Sequence, residues 1–323
     1  MPNIFRLIIS ILTCLLVTWH QPAVAAFPDR PVTIVVTYSA GGEADVQIRI
    51  VARYLEKEFG VPFVIRNVVG ASGQTGWDEV ARGKPDGYTW VNLNLPQIVT
   101  QPAVRDTVYK TDSFECLILF REQATALAVR AENKSTLAEL VEAARKQPGK
   151  VTIGVGGKWT QHDLGFFLFE AATKANFAEV DIDGQAELNR LLLGGHVQGG
   201  FGNVSAYYRL GDKVRVLAVA SKTRTPELPN VPTFEEAGFP GVVSQVTMGL
   251  GVAKGTPSQI VESVSARLHQ LFKTNETLNK DLEKAGGSPW FLLSREESIR
   301  YIREKRAVIV NALKDRGIKV RDN

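Results

Sequence analysis

Three times in this chain an apolar run of strand length leads into a glycine-rich loop. The first loop is Tyr38-Ser39-Ala40-Gly41-Gly42-Glu43-Ala44-Asp45, set between the strand-like Val32 to Thr37 and the helix-like Val46 to Phe59. The second is Gly70-Ala71-Ser72-Gly73-Gln74-Thr75-Gly76, and the third is Gly154-Val155-Gly156-Gly157-Lys158-Trp159-Thr160. Adjacent glycines at a strand-to-helix junction let backbone N–H groups turn toward one point, and the positive end of the following helix dipole points the same way. Each such loop makes a small receptor for an anionic group. A single glycine loop is more often a plain turn. Three in order confine the chain to an alternating α/β architecture with a cleft suited to a small acid.

The alternation continues around these loops. Val46, Ile50 and Tyr54 form one row of the first helix, and Val51, Leu55 and Phe59 an adjacent one, with Gly60 as its stop. Phe63 to Asn67 is a second strand, Gly76 to Arg82 a short helix, and Pro85-Asp86-Gly87 a turn feeding the strand Tyr88 to Leu93. This β-α-β-α-β order implies a parallel sheet with helices on both faces. Leu117 to Val129 is an apolar crossing segment, after which the rhythm restarts. The restart comprises the helix Thr136 to Lys146, the strand Val151 to Val155, the helices Asp163 to Lys174 and Leu188 to Leu193, and the strand Val214 to Ala220. Pro226 to Pro240 reads as an extended surface segment, and Val246 to Ala253 as a second crossing strand. Ser258 to Thr274, Ser294 to Glu304 and Arg306 to Lys314 read as closing helices. The restart predicts two related lobes, 26–124 with 247–323 and 125–246, with ligand between them at the carboxyl ends of strands.

At 323 residues the chain is comfortable for two lobes, each with its own core. Arg6, the apolar stretch Leu7 to Val17 and the small residues Ala23-Val24-Ala25 have the layout of a secretory signal peptide over residues 1–25, too short to span a bilayer. The mature chain is then expected to begin at Ala26 or Phe27. Cys14 leaves with the signal, so Cys116 stands alone and no internal disulfide is expected. The expected location is outside the cytoplasm, in the periplasm where the cell has an outer membrane. The formal charge of +4 falls to +3 once Arg6 is removed. The remaining Lys and Arg are scattered among acids, as on solvated helix faces, so no nucleic-acid partner is expected.

Catalytic and metal readings find little support. His162, His196 and His269 stand far apart without metal-ligand spacing. Neither Ser39 nor Ser72 lies in a Gly-x-Ser-x-Gly elbow, so a hydrolase is disfavoured. No glycine loop ends in the Lys-Ser/Thr of a nucleotide P-loop, and no cofactor is implied. Glu43 is an awkward charge beside an anion site, acceptable only if its side chain points to solvent. Lys158 and Trp159 read equally as an exposed loop tip or as a cation and an aromatic face for ligand.

Taken in order, the motifs resemble the extracytoplasmic solute receptors of tripartite tricarboxylate transporters, the TctC or Bug receptor family. The resemblance rests on Arg30-Pro31-Val32 with Ala40-Gly41-Gly42 and Asp45, Asn67 with Gly70, Gly73 and Gly76, and Pro85-Asp86-Gly87-Tyr88-Thr89. Leu193-Gly194-Gly195, Leu217 to Ala220, Val231-Pro232-Thr233 with Glu236 to Gly241, and Gly255-Thr256-Pro257 follow in family order. The resemblance implies a two-lobed periplasmic-binding-protein-like fold, each lobe a mostly parallel sheet flanked by helices, joined by two crossing strands. It implies a receptor without enzymatic activity that captures a small organic acid, delivers it to the membrane subunits of a tripartite transporter, and acts as a monomer. A receptor that presents its ligand to a signalling protein is the alternative, and an exported hydrolase a more distant one.

Carried over residue by residue, Tyr38, Ser39, Ala40, Gly41 and Gly42 would form one wall of the site, and Ala71, Ser72, Gly73 and Gln74 the other. Asp45 would orient the first loop by accepting backbone N–H bonds. Asn94, Gly157, Lys158, Trp159, Thr160, Asp163 and Asn203 complete the candidate ligand-binding set. The second lobe departs from the family. Asp163 stands at the place of a histidine, with His162 just before it, and Asp181-Ile182-Asp183-Gly184 replaces Pro-Tyr-Lys-Gly. Gly202 replaces an aspartate, and Thr247 an aromatic. Two acids exchanged into the distal end predict a mono- or dicarboxylate rather than a tricarboxylate such as citrate.

Overall fold

Residues 27–286, 291–315 and 317–321 are described in the computed structural model. The expected signal peptide, with Cys14, lies outside the described residues. The elements run in chain order as β1 (Val32–Val36), α1 (Glu43–Phe59), β2 (Phe63–Asn67), α2 (Gln74–Ala81), β3 (Thr89–Leu95) and α3 (Gln97–Val104). Next come β4 (Phe114–Arg130), α4 (Leu137–Lys146), β5 (Thr152–Gly156), α5 (Gln161–Thr173), β6 (Ala178–Ile182) and α6 (Gln185–Leu193). The rest are β7 (Gly199–Asn203), α7 (Val204–Leu210), β8 (Val214–Val219), β9 (Gln245–Ala253), α8 (Ser258–Thr274), α9 (Glu276–Lys284) and α10 (Arg295–Asp315).

The strands join in the order β2-β1-β3-β9-β4-β7-β5-β6, with β8 also pairing to β4. β1 runs parallel to β2 and β3, and β5 runs parallel to β6 and β7. Between these parallel parts lie the antiparallel crossing strands. β4 pairs with β9 as far as Ala124↔Gln245, then with β7 from Thr125↔Asn203 onward. One strand of 17 residues therefore carries the hydrogen bonding from one half of the molecule into the other.

The core follows from side-chain alternation. Val32, Ile34 and Val36 face Ile48, Val51 and Leu55 of α1, while Val35 faces Trp77 and Val91 on the opposite side of the sheet. A strand covered on both faces needs apolar residues at every position, which explains the unbroken run of β1. Burying each of these side chains is worth roughly 1.5–3 kcal/mol. The second half repeats the plan. Leu127, Ile153 and Val155 pack with Phe166, Phe169 and Phe201 on one face, and Ala126, Ala128, Leu188 and Tyr207 pack on the other.

Several expectations are corrected. Val46 does not join the core row of α1 but is 39% exposed, because Ala44, Ile48 and Ala52 take the inward face. The two closing helices expected over 294–304 and 306–314 are one helix, Arg295–Asp315, since no breaker separates them. Ser294 and Glu297 cap its start reciprocally. Pro226 to Pro240 is not only a surface segment. Val219 N–H donates to the Pro232 carbonyl at 3.0 Å, and Phe234 N–H donates to the Val219 carbonyl at 3.1 Å. This docks the segment onto β8 and drives Phe234 into the core, where its ring stacks on Phe201 at 5.8 Å. Strands β6 and β7 and helices α3, α7 and α9 are not among the sequence expectations; β7 is too glycine-rich to read as a strand.

A Phe234→Ala substitution is expected to lower unfolding stability by about 3–5 kcal/mol, because the surrounding rings cannot collapse into the space. Urea denaturation followed by circular dichroism measures it, and a loss below 1 kcal/mol would return this segment to the surface.

Candidate functional site

The first loop owes its shape to one carboxylate. Asp45 Oδ2 accepts from the Gly41 N–H at 2.8 Å and from Arg49 Nε at 2.8 Å. Its Oδ1 accepts from Asn67 Nδ2 at 2.8 Å, and the same amide donates to the Tyr38 carbonyl at 2.9 Å. Burial works against the charge of Asp45, but the hydrogen bonds from Arg49, Asn67 and Gly41 outweigh it and hold its pKa below the usual range. With Asp45 so engaged, α1 begins at Gly42 without a side-chain cap, and its N-terminus opens onto a cleft of about 430 Å3. Gly41 has φ +76°, and a Cβ on Gly42 would lie 2.9 Å from the Ser39 carbonyl oxygen, so both positions resist a side chain.

Tyr38, Ser39, Gly41 and Gly42 line this cleft from one side, and Ala71, Ser72 and Gly73 from the adjoining edge. Ala71 and Ser72 both take left-handed backbone angles, φ 49° and 54°, which curl the second loop tightly. The Ser72 carbonyl accepts from Gln101 Nε2 at 2.8 Å, and the Ala71 carbonyl from Arg105 Nη2 at 2.6 Å, so α3 and the residue after it hold the strained loop. Asn94, at the end of β3, and Gly157, Thr160 and Asn203 from the second half also line the cleft.

The other candidates are placed elsewhere. Ala40 is exposed outside the wall, and Asp45 sits behind the loop that it pins. Gln74 turns away, its Nε2 donating to Asp78 at 3.2 Å and to the Asp106 carbonyl at 3.0 Å. Lys158 is drawn off by the acids around it, pairing with Glu179 and lying 3.6 Å from Asp163 Oδ1. Trp159 packs against the apolar cluster of the first half, and its carbonyl accepts from Thr100 Oγ1 at 2.6 Å. Asp163 is buried behind the third loop and accepts the Trp159 N–H at 2.7 Å. Thr247, on β9, also faces away, its hydroxyl meeting Tyr301 at 3.0 Å, whereas Val246 and Met248 line the cleft.

Glu43 overturns the solvent-facing expectation. Its carboxylate turns into the cleft, 2.6 Å from Arg121 Nη2, and accepts from Asn203 Nδ2 at 2.6 Å and Ser205 Oγ at 2.7 Å. Burial opposes its charge, but Arg121 and the Ser205 hydroxyl prevail and hold its pKa below the ordinary carboxylate value. Arg121 reaches the cleft because β4 bulges beside it. The register moves from Leu119↔Gly249 to Arg121↔Met248, leaving Phe120 unpaired. The strands approach so closely here that a Cβ on Gly249 would lie 2.1 Å from the Ile118 carbonyl oxygen.

Gln97, Gln161 and His162 line the cleft too, although the sequence reading passed over them as ligand contacts. Gln97 Nε2 donates to Gln161 Oε1 at 2.9 Å, joining the two halves. His162 is buried, with Nδ1 2.9 Å from the Gly156 carbonyl and Nε2 2.8 Å from Asn203 Oδ1, and burial pushes its pKa down. A lone arginine in the apolar run Leu117 to Val129 was the one sequence signal for Arg121. Among the described residues, no group of three or more His, Cys, Asp and Glu side chains is placed to hold a metal ion, and no helix is long and apolar enough to cross a membrane.

Two half-sheets joined by crossing strands, with glycine loops facing one another over a single cleft, define a solute-binding protein. The model of the tripartite tricarboxylate transporter family receptor matches residues 47–318, and this chain belongs to that family. Members of the family are periplasmic receptors for solutes rather than enzymes. A UPF0065 protein encoded in the tcbD-tcbE intergenic region of a Pseudomonas species is 30% identical over 287 residues, covering 85% of each chain. Protein BugT of Bordetella pertussis is 28% identical over 255 residues, which are 77% of this chain and 78% of BugT. An R. palustris protein solved with adipate superposes with a TM-score of 0.83 at 28% identity, over 91% of this chain and 99% of that one.

Burial pushes the Asp163 carboxyl up from 3.8 to about 6, with the Trp159 N–H and Lys158 opposing the shift. Folding therefore takes up a proton between these values, and this group favours the native state more as the pH falls from about 6 to about 4. Above pH 6 the cost of the buried charge is fully present. Asp163→Asn is expected to be more stable than the wild type at pH 8 by up to about 3 kcal/mol, the advantage vanishing near pH 4. Urea unfolding at the two pH values measures this difference, and an advantage independent of pH would show that folding does not raise the Asp163 pKa.

Proposed function

We propose that this protein captures a small carboxylate outside the cytoplasm and delivers it to the membrane subunits of a tripartite transporter. The observation that carries this reading is the uncapped N-terminus of α1, opening onto the cleft beside the tightly curled second loop. An uncapped helix start offers N–H donors and a partial positive charge to an anion, at a place where side chains are excluded on Gly41 and Gly42. Each hydrogen bond from such donors to a carboxylate contributes about 1.5–3 kcal/mol. The adipate held by the R. palustris relative agrees in chemistry.

The lobes are residues 26–124 with 247–323 and residues 125–246, closing about β4 and β9 once ligand is bound. Contacts already cross between them, from Gln97 to Gln161 and from Glu43 to Asn203 and Ser205. Closure excludes water from the bound acid and strengthens its hydrogen bonds.

Charge limits the ligand. Arg121 on the cleft wall is paired with Glu43, and the lining adds one further cation, Arg209, and one further acid, Asp183. Asp163, turned away behind the third loop, takes no part in this balance. A cleft with no surplus of positive side chains disfavours a tricarboxylate, because like charges repel by several kcal/mol when desolvated. Competition calorimetry with citrate and a panel of mono- and dicarboxylates is expected to find citrate among the weakest ligands. Citrate binding more tightly than every other acid tested would refute the charge argument.

The anchor is tested separately. Gly42→Val is expected to weaken binding of the best acid in that panel by roughly a hundredfold or more, because the side chain collides with the Ser39 carbonyl and blocks the helix N-terminus. Because the clash is with backbone, the melting temperature is expected to fall as well, and a native circular dichroism spectrum accompanies the binding measurement. Normal binding by this variant would place the anchor elsewhere.

A further inference from the structure

The second half of the cleft already holds a carboxylate, and that carboxylate belongs to the chain. Arg121 Nη2, Asn203 Nδ2 and Ser205 Oγ converge on Glu43 from three directions, at 2.6, 2.6 and 2.7 Å. A guanidinium, an amide N–H and a hydroxyl are the donors a receptor would use for the far carboxylate of a dicarboxylic acid. Arg121 is 3% exposed, and its other contact is the Gly286 carbonyl, so without Glu43 its charge would lie buried and unbalanced. The rest of the polar wall holds the neutral Tyr38, Asn94, Gln97 and Gln161 together with Arg209, whose charge also favours the ionised Glu43, and Asp183.

We propose that Glu43 determines ligand specificity by occupying this second carboxylate receptor, so that the protein selects monocarboxylates with an uncharged far end and rejects dicarboxylates. The inference rests on the carboxylate-receptor reading above. It follows from charge and geometry together. A second ligand carboxylate entering here meets Glu43 before it can reach Arg121, and must either displace it or lie against it. Either route costs more than placing an ester, amide or hydroxyl at the same point. A contact that served only to join the halves would change affinity for all ligands alike; an occupied receptor changes the ranking between ligands that differ by one charge.

The test compares dicarboxylates of graded length, adipate among them, each against its own monomethyl ester, by titration calorimetry at pH 7.5. Wild type is expected to prefer the ester by about tenfold or more. Glu43→Gln, which keeps the shape and most of the hydrogen bonding, is expected to shift that ratio at least about tenfold toward the diacid. Arg121→Gln should shift it the opposite way, and so remains informative if the first variant folds poorly. The double variant should return close to the wild-type ratio, because the uncovered guanidinium is then absent. The inference is overturned if wild type prefers the diacids, or if the ratio is the same in wild type and in Glu43→Gln. If neither diacids nor esters bind any of these proteins while other monocarboxylates bind wild type, only this inference falls. If no carboxylate of any kind binds wild type, the receptor reading falls and this inference with it.

Discussion

Strand β4 is the constraint on which the rest of this molecule depends. It gives its first residues to β9 and its last to β7 and β8, so neither half-sheet is complete without it. Hydrogen bonding along a strand is stiff against stretching but tolerates twist, so the two half-sheets are joined without being locked in one orientation. The same strand is bulged where it passes the cleft, and the register shift between Leu119 and Arg121 delivers Arg121 to the interior. Support and recognition are therefore drawn from one run of backbone.

Carboxylates govern the cleft in two different ways. Asp45 lies behind the wall and spends its lone pairs on the Gly41 amide, Asn67 and Arg49, so that it shapes the cleft wholly through the backbone that it holds. Glu43, two residues earlier, lies inside the wall and spends its lone pairs on the opposite half. On a helix, residues two apart point in widely different directions, and here one turns toward the loop and the other into the cavity. The short sequence Glu43-Ala44-Asp45 thus fixes both the shape of the first glycine loop and the charge that faces the cleft.

Much of this was legible in the sequence because it is local. The glycine loops, the strand of continuous apolar residues before the first of them, and the helix stopped by Gly60 each follow from short-range rules, and the loops do stand around one cleft. The ordered motifs carried the family. Side-chain direction was less accessible. Glu43 was expected in solvent because a carboxylate beside an anion site is unfavourable alone; its partners Arg121, Asn203 and Ser205 lie far along the chain. Lys158 and Asp163 were candidates for the cleft by their place after the third loop, but Glu179 on the neighbouring strand β6 draws the lysine outward. Phe234 was hidden by the prolines around it, which suggest a surface path until the backbone bonds to Val219 are seen.

The contacts that cross the cleft share a chemical trait. Gln97 and Gln161 meet as two amides, Thr100 offers a hydroxyl to a carbonyl, and Glu43 is a carboxylate held below its ordinary pKa. His162, close by, has its proton affinity lowered by burial. The amides and the hydroxyl carry no titrating proton in this range, and the pKa values of Glu43 and His162 are both shifted downward, away from where ordinary histidines become charged. Two amides, or a hydroxyl and a carbonyl, bond alike in neutral and in mildly acid water, so this part of the grip between the halves does not follow the acidity of the medium.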